Sequence, residues 1–230
     1  MISSKSDYFY YLKADRIASA IPRTVPLKSK LINLFFPDYI WKFQKTLRKL
    51  EYYNNCKTGF FALVLRFIIS LKFKKLSYKL GFSIPPNVFG PGLSIAHPGT
   101  IVINSNTQVG ANCRIHTCVN IGTKAGHGNL APKIGDNCYI GPGTKMYGNI
   151  ILANNITIVP NSVVNKSFFQ ENIVIAGIPA KKLIHFNTLS IIIPATLIIK
   201  RGLVNEAETI ISRKNDNMTK EINNLLTGSA

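Results

Sequence analysis

"IGDNCYIGPGTKMYGNIILANNITIVPNSVV", residues 134–164, carries the period that decides the fold. Aliphatic side chains recur in it every six positions, at Ile134, Ile140, Met146, Leu152, Ile158 and Val164, and small or turn-forming residues follow many of them. A period of six fits neither an amphipathic helix, which repeats near 3.6, nor a half-buried strand, which alternates at about two. It fits a parallel β-helix. Three hexads close one triangular coil, each aliphatic points inward, and successive coils stack at about 4.8 Å with every ladder satisfied by the coil above and below. Toward the N-terminus the repeat is interrupted by "GTKAGHGNLAPK" (122–133) and then resumes at Ile121, Ile115, Val109 and Ile103.

Outside the repeat the character changes, and three zones follow: 1–82, 83–182 and 183–230. In the first, "PLKSKLINLFFPDYIWKFQKTLRKLEYYNN" (26–55) and "FFALVLRFIISLKFKKLSYKLG" (60–81) place apolar residues three and four apart among lysines, which predicts helices. Gly81 and the pair Pro85-Pro86 then end helical structure. The last zone opens on a mixed apolar segment from Leu183 and runs into a polar tail, Asn215–Ala230, expected to be frayed or disordered.

The formal net charge of +18 is unevenly spread. Residues 1–82 hold sixteen Lys and Arg against four Asp and Glu, the middle zone seven against two, and the last five against four. Such a field favours anionic partners, although a Lys-, Asn- and Ile-rich chain is also simply well solvated. No zinc-finger spacing, aromatic RNA-binding motif or basic zipper is present, so nucleic acid is not an expected partner. The basic stretch Phe60–Leu80 suits packing on its own domain or peripheral contact with a membrane surface. Its apolar run Phe60–Leu71 and a second, Ile191–Ile199, are shorter than the ~20 residues a membrane span needs. The first twenty residues lack the apolar core of a signal peptide, so the chain is expected in the cytoplasm. Cys56, Cys113, Cys118 and Cys138 have no metal-ligand spacing and read as packing residues; no metal site is expected.

One histidine interrupts the strand material of "GLSIAHPGTIVIN" (92–104). His97 falls six residues before Ile103 and eighteen before Ile115, which predicts an inward position at the start of the β-helix. His116, nineteen residues later, should lie about one coil away near the same edge, and the loop 122–133 should open on the same face.

These stretches carry a resemblance. "FGPGLSIAHPGTIVI", "NCRIHTCVNIGTKAG", "PKIGDNCYIGPGTKMYGNI" and "IVIAGIPAKKL" resemble the hexapeptide-repeat acyltransferases, in particular the serine-acetyltransferase-like branch, over 83–182, and the helical zone before them is similar too. The resemblance implies a left-handed β-helix with an N-terminal helical region. It also implies a homotrimer with active sites between neighbouring β-helices, doubled in some members to a dimer of trimers. It implies acetyl-coenzyme A as co-substrate and O-acetyl transfer as the reaction. His97, in "AHPGTI", matches the family's catalytic histidine, and taking a proton from an attacking hydroxyl suits an imidazole. His116 is the second catalytic candidate, binding the acceptor or the acyl intermediate, or else an edge polar residue. Coenzyme A is expected on Gly122, Thr123 and Lys124, along Gly141 and Gly143, and on Ala176, Gly177, Pro179, Ala180, Lys181 and Lys182. Turn geometry alone also accounts for each glycine. A covalent acetyl-enzyme on Cys118 is not needed.

The acceptor is where the chain departs from the branch. An aspartate before the catalytic histidine is replaced by Ala96, one farther upstream has Ser83 as its nearest match, and the Arg-His pair before Pro-Lys-Ile is Leu130 and Ala131. A site without those charges holds a zwitterion poorly. The expectation is therefore transfer to a sugar hydroxyl of a capsular or surface polysaccharide, with serine O-acetylation for cysteine synthesis as the alternative and a non-catalytic scaffold as a third reading.

Overall fold

Polar side chains start the first two helices. The computed structural model describes residues 1–23, 31–32, 34–213 and 217–227. Ser4 Oγ accepts the Asp7 backbone N–H at 3.0 Å and opens α1 (Lys5–Ala18); Asp38 Oδ1 accepts the Trp41 N–H at 2.9 Å and opens α2 (Tyr39–Cys56). Each satisfies a donor that has no partner within its helix. The third helix, α3 (Phe60–Leu80), ends on Gly81, whose φ of 76° is the left-handed conformation a helix stop uses. Of the stretch 26–55 expected to be helical, residues 26–30 and 33 lie outside the described residues.

Short strands then wind around three faces. One face stacks β1 (Phe82–Ser83), β3 (Ile101–Ile103), β6 (Val119–Gly122), β9 (Lys145–Tyr147) and β12 (Val163–Val164), all parallel. The second stacks β4 (Gln108–Val109), β7 (Lys133–Ile134) and β10 (Ile151–Leu152). The third stacks β2 (Ser94–Ile95), β5 (Arg114–Ile115), β8 (Tyr139–Ile140), β11 (Ile156–Ile158) and β13 (Ile173–Gly177), closed by an antiparallel β14 (Ala180–His185). All ten aliphatics of the repeat are buried, each worth about 1.5–3 kcal/mol against exposure. In the uninterrupted part the register is eighteen residues per coil: Leu152 lies across from Ile134, and Ile158 from Ile140.

An open β-helix end exposes its core and unpaired backbone, and the helices cover it. Phe43, Leu47, Leu76 and Leu80 join Phe82, Ile84, Phe89 and Leu93 in one continuous core. A buried ion cluster locks the cap in place. The Arg48 guanidinium meets Asp15 at 2.7 Å and Glu51 at 3.0 Å and donates to the Phe89 and Gly90 carbonyls. Asp15 in turn accepts the Gly92 and Leu93 N–H groups, and Glu51 accepts that of Asn87. Burial works against the charge on Arg48, but the two carboxylates outweigh it and raise its pKa above the ordinary arginine value.

The C-terminal zone differs from expectation. Rather than fraying, residues of the polar tail form a helix, Met218–Thr227, behind Ala195–Lys200 and Val204–Arg213. Ile222 and Leu226, four apart on one face, pack with Ile211, Ala207 and Ile198 against Ala14, Ile17 and Ala18 of α1. The tail is ordered by an apolar stripe that its polar composition hides. Residues 214–216 and 228–230 of this zone lie outside the described residues. Among the described residues no helix is long and apolar enough to cross a membrane.

Candidate active site

The site begins with a change of coil length. Ile95 pairs with Ile115, twenty residues away, whereas Ile101 and Ile103 pair with Val119 and Ile121 at eighteen. The two extra residues fall in the corner Ala96–Thr100, between the third face and the first. His97 is therefore exposed on an enlarged corner, and Ile95, 5% exposed, takes the inward position predicted for it. That correction favours reactivity, since an imidazole at the surface can meet a substrate.

His116 sits at the same corner one coil on. Its ring lies 6.1 Å from that of His97 and 5.0 Å from that of Tyr139, centroid to centroid. Its Nε2 is buried and has no hydrogen-bond partner among the described residues. Burial first, then the charges of Arg114 and His97, push its pKa down to about 4, so the imidazole stays neutral near pH 7. Arg114 escaped the reading of the sequence. The available signal was its place two residues before His116 on a short strand, which puts both on one side of the sheet.

From the two histidines the corner runs along the β-helix axis. The backbone N–H groups of Ala96, His116, Gly141 and Val159 each donate to the next coil, to Ile115, Ile140, Ile158 and Ile175. Four strand spacings, about 19 Å, separate the Ile95 rung from the Ile175 rung. At the far end lie half-buried Ala176, exposed Gly177, Ile178 and Pro179, buried Ala180, and exposed Lys181 and Lys182. Small side chains, a projecting apolar Ile178 and two cations fit a long thin arm that ends in phosphates. Lys182 is already engaged, its Nζ lying 2.8 Å from Gln170 Oε1 and 3.0 Å from His185 Nε2.

The other expected residues divide by position. Gly141 and Gly143 lie on this corner, but packing demands them. A Cβ on Gly141 would come within 2.6 Å of the Ile158 carbonyl oxygen, and one on Gly143 within 2.0 Å of Asn161 Oδ1. Gly122, Thr123 and Lys124 belong to the next corner, where the exposed loop leaves β6, with Lys124 bridged to His127. Histidines and loop therefore do not converge within one chain as expected, because the width of the first face separates them. Leu130 is half-buried and Ala131 buried in that loop. Cys113 and Cys138 are packed in the core, where burial pushes the Cys138 thiol up to about 12, but Cys118 is exposed and is not a packing residue.

Repeat, coil and corner define the class: a hexapeptide-repeat protein built as a left-handed parallel β-helix, with helices before and after it. The family described as bacterial transferase hexapeptide (six repeats) matches residues 131–166. More particularly, the chain is similar to serine acetyltransferases. It is 35% identical over 117 residues to that of Staphylococcus epidermidis, covering 50% of this chain and 54% of that protein. It is 38% identical over 101 residues to that of Staphylococcus aureus, covering 43% and 47%. The chain thus spans about half the length of the curated relatives it matches. Among solved structures, the serine acetyltransferase of Brucella abortus strain S19 superposes with a TM-score of 0.61 at 24% identity, over 80% of this chain and 71% of that one. At that identity the likeness is one of fold.

These relatives correct the expected acceptor. They are serine acetyltransferases, and nothing among them points to a capsular or surface polysaccharide. The polysaccharide expectation rests on Ala96, Ser83, Leu130 and Ala131 standing where the branch carries charges. The fold supplies a cation that those positions do not, Arg114, beside His116.

Proposed function

We propose that this protein transfers the acetyl group of acetyl-coenzyme A to the hydroxyl of serine, with His97 as general base. The observation that carries the reading is the exposed His97 on its enlarged corner, 6.1 Å from a second imidazole, in a chain of which 117 residues match a serine acetyltransferase at 35% identity. His97 takes the hydroxyl proton as the oxygen attacks the thioester carbonyl carbon. It returns that proton to the departing sulfur when the carbon–sulfur bond breaks, so protons balance over one turnover. Neutral His116, one coil away, borders the acceptor. The corner from His116 to Gly177 lies along the pantetheine arm, and Lys181 and Lys182 face its phosphates.

Gly122, Thr123 and Lys124 enter this reading from a neighbouring copy. A loop one corner away from the histidines completes the site only if a second β-helix brings its own loop alongside, which supports a homotrimer with shared sites. The face of α3 that carries exposed Phe60, Phe61, Phe67 and Ile68 is available to an assembly through the helical region. The test is release of free thiol from acetyl-coenzyme A by the purified protein with L-serine, beside a His97→Ala control. Serine-dependent release that disappears in the control is the expected result. Equal release by the control would refute His97 as base, and no release with serine would refute the acceptor.

A further inference from the structure

Arg114 is a charge without a counter-charge. It lies on the third face between Ser94 and Tyr139, its direct cross-strand neighbours. Ser94 is buried, and the Tyr139 ring packs on His116 at 5.0 Å. Among the described residues no hydrogen bond or ion pair joins the Arg114 guanidinium to any group, although it is half-buried. Around His116 stand the His97 imidazole, the Tyr139 ring and the Arg114 charge, and among the described residues no ion pair joins a carboxylate to any of them. A partly buried, unpaired arginine beside an unsatisfied ring nitrogen is a cost to the folded chain that an anionic ligand group would relieve.

We infer that Arg114 is the anion subsite of the acceptor and binds the serine carboxylate while His97 engages the hydroxyl. The inference rests on serine being the acceptor. Guanidinium and carboxylate are matched in shape for two parallel hydrogen bonds, which would fix the rotation of the amino acid as well as its position. The subsite also accounts for an acceptor loop that carries Leu130 and Ala131: the carboxylate is held from the strand and not from the loop.

The experiment compares L-serine with L-serine methyl ester, which keeps the hydroxyl and ammonium but lacks the anion, in the unmodified protein and in Arg114→Ala and Arg114→Lys. The expected result is that Arg114→Ala raises KM for serine roughly 10- to 100-fold, leaves KM for acetyl-coenzyme A in place, and abolishes the preference for serine over its ester. Arg114→Lys should recover part of that preference. Unchanged serine KM and preference in Arg114→Ala would overturn the assignment while serine stood as acceptor. A rise confined to KM for acetyl-coenzyme A would overturn it in favour of a phosphate contact. Failure of the unmodified protein to use serine would overturn the acceptor reading and the subsite with it. Among the described residues the side chain makes no hydrogen bond, so neither variant should melt below the parent, which separates these outcomes from misfolding.

Discussion

Ile95 lies across from Ile115 at a spacing of twenty residues, two more than separate Ile101 from Val119 on the first face. Those two residues lift His97 out of the apolar column and onto the surface. An inward imidazole without a partner would have been a desolvated polar group and a poor base. The longer corner leaves the hydrophobic column intact, with Ile95 buried in the place the repeat would have given to histidine.

Because His97 is exposed and makes no contact that the core depends on, His97→Ala should melt with the parent. Its thiol release should fall by about 10²–10⁴-fold. Matched thermal melts and initial rates check both halves of the expectation.

The two kinds of glycine should separate. Gly143 has a φ of 75° and no room for a Cβ, so Gly143→Ala should lower stability by at least the ~1–2 kcal/mol of a left-handed residue. At Gly122 the nearest atom to an added Cβ is 3.6 Å away. Gly122→Ala should therefore fold normally and raise KM for acetyl-coenzyme A if the loop borders the cofactor. Denaturation curves and saturation kinetics on the two variants test this.

Arg48→Met strands two carboxylates, Asp15 at 0% and Glu51 at 1% exposure, whose ion pairs among the described residues are both with Arg48. Removing one partner of such a buried group costs about 3–5 kcal/mol. Urea unfolding should show that loss, and limited proteolysis should cut the helical cap before the β-helix, since this cluster ties α1 and α2 to the first coil.

Acid should weaken the fold through His116. Its folded pKa of about 4 lies below the ordinary 6.5, so between those values the unfolded chain binds the proton that the folded chain refuses. This contribution is complete above pH 6.5 and is lost progressively as pH falls toward 4. His116→Gln should lose less melting temperature than the parent between pH 7 and pH 4.5, and an equal loss would contradict the assignment.

Much of the fold was legible along the chain. A six-residue period is a local consequence of burying one side chain per coil face, so counting from Ile134 to Val164 and back to Ile103 was enough to find the β-helix and its core. The motif around His97 likewise singled out the candidate base, because proton transfer restricts the residue type. Where that histidine pointed was not legible, since hexad counting assumes coils of constant length and two residues added at one corner do not change the aliphatic pattern on either side. Which groups stand around it was equally hidden. Arg114 meets Tyr139 across twenty-five residues of chain, Asp15 meets Arg48 across thirty-three, and the helix Ala195–Lys200 packs on α1. Such neighbours are chosen by how coils stack and how helices close an open end, and these are long-range balances of burial and desolvation that no stretch of sequence contains on its own.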